Sequence, residues 1–108
     1  MDRALSRGAT VRVVASLLQA TATRTAQGGQ VISYEGLGTV WLKLGARRRR
    51  EKADADVVRA IETLAAVARA DERLAEGLVV RLGGADWDLV GLEPEEPGKV
   101  KLNLERRR

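Results

Sequence analysis

The sequence predicts a mainly β fold: a small antiparallel β-barrel with a long polar loop and one short helix at most. Three observations carry this. Apolar and polar residues alternate over short runs, most cleanly at Lys99–Glu105, where Val100, Leu102 and Leu104 make one face. β-Branched residues crowd the stretch from Thr10 to Thr25, with Val11, Val13, Val14, Thr21, Thr23 and Thr25. Glycine pairs, Gly28-Gly29 and Gly83-Gly84, separate such runs in the manner of hairpin turns. Closing several short strands into a barrel hides the edges that invite aggregation.

Taken in order, residues 1–9 read as a flexible N-terminus. The β-rich run Thr10–Thr25 then meets Gly28-Gly29 and continues as Val31-Ile32-Ser33-Tyr34, a hairpin. After Gly36 and Gly38, Val40, Leu42 and Leu44 share one strand face, and Thr39, Trp41 and Lys43 share the other. The middle is ambiguous from periodicity. From Asp56, the residues Val57, Val58, Ile61, Leu64, Ala65 and Ala68 fit a helical stripe, while Thr63–Arg69 also reads as an Ala-rich strand leading to Gly77. Leu78–Leu82 alternates, Gly83-Gly84 turns the chain into Asp86–Val90, and Glu96-Pro97-Gly98-Lys99 has Pro then Gly in type II turn order before the last strand. This C-terminal part is a three-stranded meander.

The 108 residues suit one domain, with 31% charged and 44% hydrophobic residues in an ordinary globular balance. Phenylalanine is absent, and Tyr34, Trp41 and Trp87 are the only aromatics. Packing therefore falls to Val, Leu and Ala, and each ring is expected to be a large structural anchor. No window reaches the ~18 apolar residues of a membrane span, and the opening residues carry no signal-peptide pattern. Neither cysteine nor histidine occurs, which removes disulfides, thiolate metal sites, the usual general base and the strongest nucleophile. No carboxylate pair sits in a catalytic context: Asp86 and Asp88 read as a wet strand face, and Glu93, Glu95 and Glu96 as a hairpin tip. The expectation is a protein without enzymatic activity, metal or cofactor.

Charge is distributed unevenly. Met1–Lys52 holds ten basic and three acidic residues, whereas Asp71–Gly98 holds two basic and eight acidic. Such polarity suits one side facing nucleic acid, or opposite patches meeting between neighbouring copies in a head-to-tail ring. The run Arg47, Arg48, Arg49 and Arg50, extended by Lys52, is the local feature with the clearest physical use. A polyanion would match it through counterion release, and the lack of interleaved aromatics makes that a sequence-independent backbone contact. The duller reading is a solvated loop. Gly28, Gly29, Gly83 and Gly84 are turn positions, since neither pair has the follow-on residues of a phosphate-binding loop.

Together these segments resemble the tailed-phage head–tail adaptor family that acts as head-closure, or stopper, proteins, including the neck proteins of gene transfer agents. The likeness runs from about residue 8 to residue 105. It rests on the order of a basic strand, the turn Ala26-Gln27-Gly28-Gly29, the short strand Val31–Glu35 with Tyr34, and Leu37–Leu44 with its Trp41. A polar insertion at 45–60, a loop ending in Gly77, the hairpin Leu78–Val90 with Trp87, and a last strand at Val100–Leu104 complete it. The chain departs from the family at Thr63–Arg69, where large β-formers are usual, and at Tyr34, where Trp is common. The resemblance implies a single barrel domain over 1–108, with a short helix near 54–60 and a strand from about 61 to 69. It further implies a ring of six or twelve copies, assembled in the bacterial cytoplasm and located in the virion neck. The portal-bound adaptor ring and the tail terminator ring would be its neighbours, and packaged double-stranded DNA would lie in its channel without any membrane contact. Arg47–Arg50 and Lys52 would then face the channel or a neighbouring ring. The competing expectation is a small basic β-barrel that binds nucleic acid in the cytoplasm, a role for which three aromatics equip it poorly.

Overall fold

Alternation governs this chain almost throughout, and it produces strands only. The computed structural model describes residues 11–54 and 57–107, with the side chains of 52–59 and 107 left aside. The strands are β1 (Val11–Arg24), β2 (Gln30–Asp54), β3 (Val57–Arg69), β4 (Val79–Leu82), β5 (Ala85–Pro94) and β6 (Lys99–Arg107). All pairings are antiparallel, and the sheet closes on itself in the order β1-β2-β3-β6-β5-β4. Closure pairs both outer strands, β1 with β4, and so removes the open sheet edge within the barrel. The expected N-terminal segment 1–9 lies outside the described residues.

The inward faces are those the alternation marks. Leu17, Leu42, Val80, Trp87, Leu89, Leu102 and Leu104 are fully buried, so the core is aliphatic around a single indole. Two turns follow their sequence signatures. Gly83 and Gly84 both have positive φ, at 60° and 79°, the conformation that a two-residue type I′ loop between Leu82 and Ala85 requires. At Glu96-Pro97-Gly98-Lys99, the Lys99 N–H donates to the Glu96 carbonyl at 2.8 Å, with Gly98 at φ 81°. At the first hairpin the Thr25 N–H donates to the Gly29 carbonyl at 2.8 Å, and the Gly29 N–H donates to Thr25 Oγ1 at 3.0 Å.

Two sequence expectations are corrected here. The segment 45–60 is not an insertion loop with a short helix: β2 continues to Asp54 and β3 begins at Val57, so the two strands form a long hairpin. The physical reason lies in the polar run of arginines, which conceals that β2 continues to Asp54. In β3, Glu62 is buried on the inward face together with Leu64, Ala66 and Ala68. The strand expected from about residue 61 to 69 is present as the second half of β3.

Because β4 pairs with β1 only over Ser16–Leu18, the ribbon of Gln19–Arg24 and Gln30–Glu35 stands clear of the barrel with every residue exposed. The β2–β3 hairpin extends from the other end of β2. The molecule is accordingly elongated, 61 × 35 × 25 Å.

Candidate functional site

The arginine run lies on a strand, so its members alternate between faces. Cross-strand pairing places Arg47 opposite Leu64 and Arg49 opposite Glu62, continuing the inward face, and Arg48 opposite Thr63 on the outer face. Arg47 is drawn into the barrel end: its guanidinium meets Glu62 at 3.0 Å, and Arg106 meets the other oxygen of Glu62 at 2.7 Å. Both guanidiniums lie over the indole of Trp87, at 5.4 and 4.9 Å from the ring centroid. Arg47, Glu62, Arg106 and Trp87 thus close one end of the barrel, with the Arg47 side chain ion-paired but still half-exposed. A buried carboxylate holds it because that carboxylate cannot stay ionised there without a cation. Arg50 meets Glu105 at 3.3 Å on the exposed surface. Arg48 and Arg49 are exposed and make no ion pair among the described residues, whereas the side chain of Lys52 lies outside them.

Of the expected anchors, Trp87 is buried in the core, while Trp41 and Tyr34 point outward, 66% and 51% exposed. Neither anchors the core or a barrel end: Trp41 alternates with buried Leu42 and so faces outward, and Tyr34 lies on the ribbon that stands clear of the barrel. Gly28 and Gly29 form the β1–β2 turn, Gly83 and Gly84 the β4–β5 turn, and Gly77 precedes β4 with its N–H on the Leu89 carbonyl at 2.9 Å.

A groove of about 1080 Å³ opens beside Trp41, lined among others by Arg12, Lys43, Arg69 and Arg73. Arg73 is fixed structurally. Its guanidinium donates to the Leu37 carbonyl at 2.9 Å and the Thr39 carbonyl at 3.2 Å, and a carboxylate oxygen of Asp71 accepts from it at 2.7 Å. The hydrogen bonds from Arg73 hold the Asp71 carboxyl down at about 2. The same contact explains Gly38, whose φ is +106° and where a Cβ would fall 2.6 Å from Arg73 Nη1. Sequence reading treated Asp71-Glu72-Arg73 as a loop and passed over Glu62 and Arg106. The signal for Glu62 was a lone acid between apolar strand positions, facing an arginine-rich strand.

No family model matches the chain, and no curated protein matches it. Among solved structures it is similar to a chain from the virion of a native gene transfer agent particle, with a TM-score of 0.68 and 19% identity over 94% of this chain and 98% of that one. The likeness is one of fold, and it extends over essentially the whole of both chains.

Proposed function

We propose that this chain is a structural ring subunit of the neck of a tailed phage or gene transfer agent particle, a head-closure protein without enzymatic activity that retains packaged DNA and offers the surface where the tail docks. The observation that carries this reading is the fold shared along nearly the full length with a chain of a gene transfer agent virion. The architecture suits the role. A closed barrel supplies a rigid body, and its two hairpin extensions leave opposite ends of β2, in position to reach a portal-bound adaptor ring on one side and a tail terminator ring on the other. Arg48 and Arg49, exposed and without acidic partners among the described residues, are the members of the basic run free to meet double-stranded DNA through its phosphates. Copies would assemble in the bacterial cytoplasm and remain in the virion.

Electron microscopy of particles from a producing strain that lacks this gene tests the reading. Separate heads and tails, the heads empty or leaking DNA, are the expected result. Intact tailed particles in normal numbers would overturn it and favour a cytoplasmic nucleic-acid binder.

A further inference from the structure

Two places on the outer surface set like charges directly opposite each other across neighbouring strands, an arrangement that weakens a sheet. On the β1–β2 seam Arg12 faces Lys43, and neither has an ion pair among the described residues. On the β5–β6 seam Asp88 faces Glu105; only Glu105 is met, by exposed Arg50 at 3.3 Å. In the strand order β1-β2-β3-β6-β5-β4 these two seams are separated by three strands in either direction, so the two walls face opposite ways.

Each wall also carries exposed apolar surface. Val14 and Trp41 are cross-strand partners beside the basic pair, 51% and 66% exposed. Val90 lies on the same strand as Asp88, two residues on, and is 44% exposed. The outward positions of β5 also hold Asp86 and Glu93, but Arg81 engages Asp86 at 2.7 Å and Lys101 stands opposite Glu93, so the uncompensated acid of this wall is the Asp88–Glu105 pair. Arg12, Lys43 and Arg69 line the groove beside Trp41, and the one carboxylate there among the described residues, Asp71, is held by Arg73 at 2.7 Å.

We infer that the basic wall centred on Trp41 docks against the acidic wall of a second copy of this chain. The complement in charge sign relieves both like-charge pairs at once, and the apolar residues of each wall supply the contact that excludes water. Because the walls are opposite rather than shared, the contact is head-to-tail, and it propagates into a ring where the rotation closes. The inference deepens the neck reading, on which it rests for the biological setting, by naming the subunit interface.

The chain has no cysteine, so introduced thiols report cleanly. Val14→Cys and Val90→Cys together, treated with a short bis-maleimide in the purified protein at low salt, should give a ladder of covalent oligomers, whereas each single variant should stay monomeric. Arg12→Glu with Lys43→Glu in that background should abolish the ladder. Adding Asp88→Lys and Glu105→Lys to the same chain should restore it, a rescue that a general loss of folding does not produce. Circular dichroism checks each variant, and Lys43→Gln, expected to thin the ladder, stands in should the double reversal not fold. A ladder that never forms, that persists through the reversal, or that stays lost after the compensating change overturns the inference. So does a wall that instead binds a single-stranded oligonucleotide, read as quenching of Trp41 fluorescence. The outcome is independent of the deletion strain: particles that need the gene but a protein that gives no ladder would leave the neck reading standing and remove this interface.

Discussion

At the scale of single residues, two charged clusters hold this barrel where aromatic packing is scarce. Glu62 is buried between Arg47 and Arg106 beneath the Trp87 indole, and removing it leaves two guanidiniums stacked at the barrel end without their counter-charge. Glu62→Ala is expected to cost about 3 kcal/mol, the lower end for breaking a buried pair because half-exposed Arg47 can hydrate. Urea unfolding measures it, and against a total stability of about 5–15 kcal/mol the midpoint should fall clearly. Asp71 makes a pH prediction. Its folded pKa, about 2, lies below the ordinary 3.8 because Arg73 stabilises the carboxylate. Its contribution is therefore fully present above about pH 4 and lost as the pH falls toward 2. Asp71→Asn should lower stability at neutral pH and flatten the dependence over that interval, with thermal unfolding against pH as the measurement. The sequence marks Glu62 only as a lone acid among apolar strand positions and marks neither cluster's partners. An inward Glu resembles an outward one until its partners from distant strands are known, and Arg73 acts on backbone carbonyls at Leu37 and Thr39, which carry no sequence signature.

At the scale of elements, the strictly alternating strands were legible, as was the second half of β3, whereas the polar continuation of β2 was not. Lys99–Glu105 and Leu78–Val90 fold as read, as do the glycine turns between strands. The polar run of arginines conceals that β2 continues to Asp54, which is why 45–60 reads as a loop and helix. The outward position of Trp41 was implicit in the same alternation that put Val40, Leu42 and Leu44 together, yet its size argued for an anchor. Size was the wrong guide: Trp41 is 66% exposed. Two predictions belong here. Gly83→Ala with Gly84→Ala forces two L-residues into left-handed geometry and should cost about 2–4 kcal/mol by urea unfolding. Excising 20–34 and joining Gln19 to Glu35 through an Asn-Gly turn should leave the barrel's unfolding midpoint nearly unchanged, since the ribbon is exposed throughout. The shortened protein should nevertheless fail to support joined particles, as judged by microscopy of complemented strains.

At the scale of the whole molecule, the order of weak segments carried more than any one of them. Gly-Gly turns and a tryptophan are common, but their spacing resembled one family along nearly the full chain, and the closed six-stranded sheet agrees in fold with a gene transfer agent virion chain despite 19% identity. Charge polarity, visible as a sequence imbalance, leaves two like-charge pairs on the closed sheet, Arg12 with Lys43 and Asp88 with Glu105. It also narrows the basic run: of four arginines two are committed to ion pairs, leaving Arg48 and Arg49 exposed. Replacing both by Glu should lower DNA retention in particles, measured as nuclease-protected DNA per head, while the purified protein unfolds at an unchanged midpoint.

The most direct test of the central claim is to place the protein in the particle. A short epitope fused to the C-terminus, labelled with gold on purified particles and imaged by electron microscopy, should put label at the junction of head and tail. Label scattered along the tail or over the head, or particles that carry none while the protein stays in the cell lysate, would contradict it.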